Sequence, residues 1–208
     1  MKSYLVQTPR LVQLFFRNWV WSFSKKEKAL YLTFDDGPTP EVTEWTLNQL
    51  KKHDAKATFF CIGKNVVQYP KIYQKIIDQG HSIGNHTHNH LKGLKTTTEE
   101  YLDNIAKAEL VLQNNSKLFR PPYGKFKRSQ AKKLRKKGYK IIMWDVLSAD
   151  FDTTISPEKC LENVIRYTDN GSIIVFHDSI KARQNLYFTL PKIVEYYTEK
   201  GYAFKSIC

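Results

Sequence analysis

Two groups of side chains in this chain have the types and spacing that metal-assisted hydrolysis needs. Asp35 and Asp36 are adjacent carboxylates in the segment 33–37, which stands at the end of the apolar run at residues 29–32. Like charges a few ångströms apart raise each other's pKa, so such a pair is usually neutralised by a cation or used as a base. His86 and His90 are four residues apart, a spacing that on one helical turn aims both imidazoles at a common point. A carboxylate with two such histidines predicts a three-ligand metal site with open positions, and the alternative for the carboxylates is a solvated Asp-Asp-Gly turn.

The elements that must position these groups alternate between strand and helix patterns, which predicts a parallel sheet with right-handed crossovers. Gly80, Gly138 and Gly201 each follow a helical pattern and precede a strand, as left-handed C-terminal caps do. Ser156 before Pro157 is typical of a helix start. The predicted strands cover residues 29–34, 57–62, 81–84, 118–120, 140–144, 172–176 and 203–207. The predicted helices cover residues 41–52, 71–79, 97–113, 130–137, 157–167 and 191–200.

Polar motifs follow the C-terminal ends of five different predicted strands. In a barrel these groups would surround one mouth, where such barrels carry their chemistry, whereas in an open sheet they would lie too far apart to converge. We therefore predict an α/β barrel smaller than the eight-stranded kind. The five groups are Asp35 with Asp36, His86 with His90, residues 120–124, residues 145–152, and His177 with Asp178.

Composition indicates one globular domain with a strongly basic surface. The chain has 208 residues, 41% of them hydrophobic and 25% charged, and no polar or Gly/Ser-rich tract long enough to be a linker. Its three cysteines have no paired spacing, which argues against a disulfide framework or a thiolate metal site. Residues 125–140 contain nine Lys or Arg and no acidic residue, within a net charge of +13. This run indicates a solvated helix face or attraction to an anionic polymer or membrane surface, and since no nucleic-acid motif is present, no specific nucleic-acid partner is expected.

The N-terminal segment, residues 1–28, is predicted to cap a domain that covers residues 29–208. Its stretch at residues 11–21 is apolar and aromatic, but Arg17 and Asn18 interrupt it and a small-residue cleavage site is missing. The stretch is also too short and too polar to span a bilayer. We expect it to pack against the domain, with lying on a membrane surface as the alternative. A cytoplasmic or peripherally membrane-associated protein is therefore expected.

Five motifs, taken in order, resemble those of the polysaccharide deacetylases, the nodulation-protein-type carbohydrate esterases. The resemblance runs from about residue 29 to the C-terminus. It implies a deformed (β/α) barrel, usually of seven parallel strands, and metal-dependent removal of N- or O-acetyl groups from sugar polymers such as chitin, peptidoglycan or acetylated xylan. The alternatives are a related amide or ester hydrolase acting on a small substrate, and a binding module that has lost turnover. The motifs are residues 33–38, 86–90, 120–124, 150–151 and 173–178.

The resemblance implies that Asp36, His86 and His90 hold the metal and that Asp35 is the general base. Such a ligand set favours Zn²⁺, although carboxylate and imidazole also accept Co²⁺, Ni²⁺ or Mn²⁺. The expected substrate partner is an acetylated glycan.

Around these ligands, the resemblance assigns supporting roles. Arg120 would orient Asp35 through a planar, bidentate contact, and the backbone N–H of Tyr123 would stabilise the oxyanion. Phe151 stands where the family usually has tryptophan; it supplies an apolar wall opposite Val175 but lacks the indole N–H, a change that bears on substrate choice.

The proton donor to the leaving amine is expected to be His177, because imidazole has an ordinary pKa of about 6.5. Asp150 would orient His177 and raise its pKa. The sequence leaves Asp145 and Asp152 as competing partners.

Overall fold

The structure, a computed structural model, describes residues 4–113 and 116–208 and contains a curled parallel sheet. Seven strands follow one another in the order β5-β4-β3-β2-β1-β7-β6, and β8 pairs with β1. The predicted fold class, a deformed (β/α) barrel, is confirmed. The two-residue strand β6 was not predicted from the sequence. The strands are β1 Ala29–Asp35, β2 Ala57–Cys61, β3 Ser82–Asn85, β4 Leu118–Phe119, β5 Lys140–Ile141, β6 Val146–Leu147, β7 Ile173–His177 and β8 Ala203–Phe204.

Helices separate most of the strands and cover the sheet. Ser156 caps its helix as predicted, since its hydroxyl accepts a hydrogen bond from the backbone N–H of Lys159 at 3.2 Å. The glycines predicted as helix ends do have positive φ. Nowhere in residues 4–113 or 116–208 is a helix long and apolar enough to cross a membrane. The helices are α1 Arg10–Phe15, α2 Val42–Lys52, α3 Gly63–Gln68, α4 Pro70–Asp78, α5 Thr98–Leu112, α6 Arg128–Lys136, α7 Pro157–Tyr167 and α8 Arg183–Glu199.

Two features of the helices differ from the sequence prediction. The short helices α1 and α3 were not predicted, and α8 begins eight residues before Pro191, where the pattern placed its start. Pro191 removes one backbone hydrogen bond. The helix continues through it because Leu186, Leu190 and Ile193 bury the same apolar face against the sheet.

The core is centred on β1, which pairs with both β2 and β7. Leu32 and Phe34 on one face of β1 and Thr33 on the other face have no exposed surface, as expected for a parallel strand covered on both faces. Asp35 and His177 are the last residues of β1 and β7 and lie in register with each other. The buried centre of the sheet therefore delivers two polar side chains to the same end of the barrel.

The N-terminal segment fills the gap between β5 and β6, two strands that no ladder joins in the described residues. The Val6 carbonyl accepts a hydrogen bond from Leu147 N–H at 2.8 Å, and Val20 N–H donates to the Ile141 carbonyl at 2.9 Å. Trp21 of this segment is buried in a hydrophobic cluster of the barrel, with 8% of its surface exposed. Residues 4–22 thus complete the wall of the barrel on this side.

Candidate active site

A cavity of about 400 Å³ lies at the C-terminal ends of β1 and β7. Eight of the ten residues assigned to the site from sequence line it, and the other two, Arg120 and Asp150, lie behind it with no exposed surface. The structure therefore brings the predicted site together. The lining residues are Tyr4, Asp35, Asp36, His86, His90, Tyr123, Lys125, Trp144, Leu147, Phe151, Val175, His177 and Lys181.

Asp36, His86 and His90 form a cluster whose ligand atoms all lie within 4.8 Å of one another. Asp36 Oδ1 is 3.6 Å from His86 Nε2 and 3.2 Å from His90 Nε2, and this buried oxygen has no hydrogen-bond partner. Burial opposes ionisation of Asp36, but His90, His177 and His86 outweigh it and hold the pKa of the carboxyl well below its usual range. An ionised oxygen without a partner, facing two imidazole nitrogens, is a donor set that fits a divalent metal.

The two histidines reach this cluster from a loop. The expected helical turn at residues 86–90 is wrong: Thr87 and His90 have φ of 66° and 54°, in the left-handed region that a right-handed helix does not contain. Side-chain amides replace the helical hydrogen bonds. Asn85 Oδ1 accepts from Thr87 N–H at 2.8 Å, and Asn104 Oδ1 accepts from two further N–H groups of the loop. The convergence that the spacing predicted is present, but α5 and β3 impose it through these amides.

His86 is oriented by a carbonyl behind it. Its Nδ1 lies 2.8 Å from the Arg120 carbonyl oxygen; an N–H at Nδ1 leaves the Nε2 lone pair directed to Asp36. Burial lowers the pKa of His86 to about 4, so the ring is neutral, as a metal ligand must be. His81 does not line the cavity; its Nδ1 accepts a hydrogen bond from the Ala57 backbone N–H at 3.2 Å.

Beside the ligand cluster lies a buried ion pair between Arg120 and Asp35. Arg120 Nη1 donates to Asp35 Oδ1 at 2.8 Å and to Thr33 Oγ1 at 2.7 Å. Nε and Nη2 donate to the carbonyls of Ile142 and Met143. The expected bidentate contact is therefore wrong, because the other guanidinium donors are engaged by backbone carbonyls. Held from several directions, the guanidinium still fixes one carboxylate oxygen of Asp35.

The site contains another buried ion pair, between His177 and Asp150. His177 Nδ1–H donates to Asp150 Oδ1 at 2.7 Å, and the His177 backbone N–H donates to Asp150 Oδ2 at 2.7 Å. Burial alone lowers the pKa of His177, but the Asp150 charge and hydrogen bond raise it to about 9. The competing aspartates have other partners: Asp145 accepts from a backbone N–H of β7, and Asp152 accepts from the Tyr4 hydroxyl.

Backbone strain concentrates at this end of the barrel. Of the eight non-glycine residues with positive φ in the described chain, five lie in the site or next to a residue of the site. Each such conformation costs on the order of 1 kcal/mol or more, and surrounding contacts must hold it. Asn65, for example, donates from Nδ2 to the Asp36 carbonyl at 2.8 Å. The five are Asp36, Thr87, His90, Tyr123 and Ala149.

An apolar wall lies beside the charged groups. The Phe151 ring stands edge-on to the His177 ring at a centroid distance of 5.0 Å, and Val175 and Leu147 line the same cavity. Sequence reasoning named Phe151 and Val175 but missed Leu147 and Tyr4. No local pattern marks Tyr4, because only the tertiary path of the N-terminal segment brings it to the cavity.

Asp178 explains the glycine of the Asp-Asp-Gly motif. A Cβ on Gly37 would lie 2.0 Å from Asp178 Oδ2, so no side chain fits there. Asp178 is fully buried and accepts a hydrogen bond from Thr43 Oγ1 at 2.5 Å, and burial raises its pKa to about 8. The glycine is therefore a close-packing requirement as well as a turn signal.

Comparisons with known proteins agree with the site. Residues 23–142 match the sequence model of a family described as polysaccharide deacetylase. The chain is 35% identical over 190 residues to a peptidoglycan-N-acetylglucosamine deacetylase of Bacillus cereus, an alignment that covers 89% of this chain and 68% of that relative.

Solved structures place the fold beside both active and inactive proteins. A crystal structure of a peptidoglycan N-acetylglucosamine deacetylase in complex with 4-naphthalen-1-yl-N-oxidanyl-benzamide is similar with a TM-score of 0.88 and 32% identity, covering 96% of this chain and 95% of that one. A CE4 family pseudoenzyme from Bacillus anthracis is similar with a TM-score of 0.80 and 26% identity, covering 90% of this chain and 66% of that one. The fold alone therefore does not distinguish a catalyst from a pseudoenzyme.

Proposed function

The chain belongs to the polysaccharide deacetylase family, and from that premise we propose which of its residues remove acetyl groups and from which glycan. It is a metal-dependent carbohydrate deacetylase that acts on acetylated glycans. The relatives' substrate leads us to propose N-acetylglucosamine in peptidoglycan, with a chitin-like glycan as the nearest alternative. One observation supports the assignment of residues. Two buried ion pairs, one presenting a carboxylate and the other an imidazole, share a cavity with three candidate metal ligands.

Asp36, His86 and His90 are the proposed metal ligands. One carboxylate with two imidazoles favours Zn²⁺, with Co²⁺, Ni²⁺ and Mn²⁺ as weaker candidates. When bound there, the ion supplies Lewis-acid polarisation of the acetyl carbonyl and lowers the pKa of the attacking water. Support comes from the unpartnered Asp36 Oδ1 and from the hydrogen bond that fixes the His86 ring.

Asp35 is the proposed general base. As a C–O bond forms between the water oxygen and the acetyl carbon, one proton of that water passes to the carboxylate. Arg120 occupies Oδ1 of Asp35, so we assign the proton to Oδ2. The buried guanidinium holds this carboxylate in place at the edge of the cavity.

His177 is the proposed general acid. The C–N bond breaks as His177 gives its proton to the departing nitrogen, which leaves acetate and a free amine. Asp150 keeps the imidazole charged and oriented, consistent with the raised pKa of His177. Tyr123 is proposed to stabilise the oxyanion through its backbone N–H, and Phe151 with Val175 to hold the acetyl methyl group.

The direct test is acetate release from N-acetylated chito-oligosaccharides and from purified peptidoglycan, with the Asp35→Asn protein as control. Release from a glycan by the wild-type chain alone supports the proposal. Turnover limited to small acetylated amides or esters would favour the small-substrate hydrolase. Glycan binding without acetate release would favour a binding module.

A further inference from the structure

Helix α1 carries apolar side chains that face solvent. Leu11, Leu14 and Phe15 are 70%, 68% and 83% exposed, although they lie within one short helix. The other side of the helix is anchored, since Val12 and Phe16 pack against a buried aromatic cluster of the barrel. The helix is therefore fixed to the domain with an apolar edge that nothing in the described chain covers. Clustered exposed apolar residues usually mark an interaction surface.

Arginines flank this apolar edge. Arg10 and Arg17 line a shallow cavity together with Leu14, and both arginine side chains are exposed. We use the name α1 face for the surface formed by Leu11, Leu14, Phe15, Arg10 and Arg17. Apolar side chains framed by arginine form the pattern that binds at a lipid–water interface.

The α1 face continues toward the mouth of the catalytic cavity. A neighbouring cavity shares Trp19 and Trp21 with the first one and is lined further by Leu94, Lys125 and Arg128. Leu94 is 55% exposed, so the alternation of apolar and basic side chains extends across this second cavity. Lys125 also lines the cavity that contains Asp35. The surface therefore runs from α1 to the edge of the active site.

The two chain segments that form this surface are basic, although Asp169 pairs with Lys25 and interacts with Arg10. Residues 1–26 contain five Lys or Arg and residues 110–144 contain eleven, and neither segment contains Asp or Glu. Some of these cations are paired with acidic residues elsewhere, as Lys133 is with Glu99, but Arg10, Arg17, Lys125 and Arg128 are exposed at the surface. The complementary partner is therefore an anionic one.

We propose that the α1 face docks the protein on an anionic lipid membrane. Leu11, Leu14 and Phe15 enter the boundary between headgroups and acyl chains, while Arg10 and Arg17 bind headgroup phosphates. A soluble anionic polymer would engage the arginines but leave the three apolar side chains in water. A second copy of the chain would bring two positively charged surfaces together, which repel. Because Lys125 joins this surface to the mouth, docking would hold the active site close to glycan at the membrane.

Vesicle co-sedimentation of the full chain tests the proposal. The probes are vesicles of phosphatidylcholine alone and vesicles of phosphatidylcholine mixed with phosphatidylglycerol. We expect binding to the mixed vesicles and little to the neutral ones. Leu14→Ser with Phe15→Ser should lower partitioning roughly tenfold or more, because it removes two apolar side chains from the interface. Arg10→Gln with Arg17→Gln should lower it about fivefold for each lost cation.

A matched control uses apolar residues that are exposed on other helices. Val67 and Leu110 are 60% and 77% exposed on α3 and α5, so Val67→Ser with Leu110→Ser removes similar surface and should leave partitioning unchanged. All these variants should keep the wild-type Tm and the wild-type acetate release from a soluble chito-oligosaccharide. This readout separates loss of docking from loss of folding and from failure of the proposed reaction.

Four results would overturn the proposal. The first is a wild-type chain that binds neither vesicle. The second is equal partitioning of the wild type and the Leu14→Ser, Phe15→Ser protein. The third is binding that salt abolishes completely and that soluble poly-glutamate reproduces, which would assign the surface to an anionic polymer. The fourth is a wild-type dimer, seen by light scattering, that the Phe15→Ser change converts to a monomer.

Discussion

The two buried ion pairs of the site contain the same kinds of charge but present opposite members to the cavity. In one pair the carboxylate of Asp35 lines the cavity and the Arg120 guanidinium lies behind it; in the other, the His177 imidazole lines the cavity and the Asp150 carboxylate lies behind it. Arg120 and Asp150 both have no exposed surface. Each hidden member places a charge of opposite sign directly behind the side chain that lines the cavity.

In the proposed mechanism, this difference separates the base from the acid. The carboxylate with a buried cation behind it accepts a proton, and the imidazole with a buried anion behind it donates one. The distances are similar, 2.8 Å between Arg120 Nη1 and Asp35 Oδ1 and 2.7 Å between His177 Nδ1 and Asp150 Oδ1. The proposed roles therefore rest on the order of the two charges relative to the cavity and not on the contact distances.

The largest expected effect comes from metal removal. It tests whether the two ion pairs can support acetate release without a bound metal ion. Dialysis against a chelator should reduce acetate release to background, because neither pair can polarise the carbonyl. Zn²⁺ or Co²⁺ should restore activity, and elemental analysis should give about one ion per chain, as a single three-ligand site requires. Full turnover by the metal-free protein would remove this mechanism.

Asp35→Asn removes the proposed general base from the Arg120–Asp35 pair. It should lower kcat by roughly 10²- to 10⁴-fold, the range for loss of a general base, while metal content stays near that of the wild type. The matched control is Asp36→Asn, which should lose the metal as well as activity, because Asp36 belongs to the ligand cluster. If Asp35→Asn loses the metal and Asp36→Asn keeps it, base and ligand have been assigned the wrong way round.

His177→Ala removes the proposed general acid from the His177–Asp150 pair. Its effect on kcat should be smaller and should depend on the leaving group. An N-acetyl sugar should lose roughly 10²-fold or more in kcat, since an amine needs a proton to leave, whereas an O-aryl acetate should lose much less because a phenolate leaves without one. Metal content should not change. Equal losses on both substrates would contradict acid catalysis and indicate a structural role for His177.

Much of this site could be predicted from the sequence because its chemistry is local to strand ends. The apolar run of β1 predicts that Asp35 leaves a buried strand at the barrel mouth, and the same holds for His177 after β7. Asp35, Asp36, His86 and His90 do meet in one cavity. Because the parallel strands of a barrel all end at the same face, residues that follow them meet there whatever their side chains are.

The parts that could not be predicted depend on long-range packing. The loop that carries His86 and His90 is held by Asn104, which lies 15 to 16 residues along the chain from the N–H groups it binds. The spacing of two histidines describes only the local turn and does not predict this contact. Arg120 was expected to give Asp35 a bidentate contact, but whether the carbonyls of Ile142 and Met143 compete for its donors depends on the tertiary position of a later segment. The N-terminal segment reaches the cavity through Tyr4 for the same reason.

The smallest expected effect is the most specific one, and it comes from Asp150→Asn. This change keeps the size of the hidden partner but removes its charge, so His177 loses the interaction that raises its pKa from 6.5 to about 9. The high-pH limb of kcat/KM should move from above 6.5 in the wild type to 6.5 or below, and the loss at neutral pH should be about tenfold, less than for His177→Ala. A pH profile of the two proteins on the same N-acetyl substrate measures this shift.

The same change makes a signed prediction for stability. Because the folded pKa of His177 is raised, its contribution is fully present below pH 6.5 and is lost as the pH rises through about 9. The wild type without metal should therefore exceed Asp150→Asn in free energy of unfolding by up to about 3 kcal/mol below pH 6.5, and the gap should shrink as the pH rises above 9. Denaturant unfolding at both ends of this range, with Asp152→Asn as the control at a neighbouring aspartate, measures it. A gap that is constant with pH would show that Asp150 supports His177 by packing and hydrogen bonding alone, and the opposite orientations of the two ion pairs would then not explain the division between acid and base.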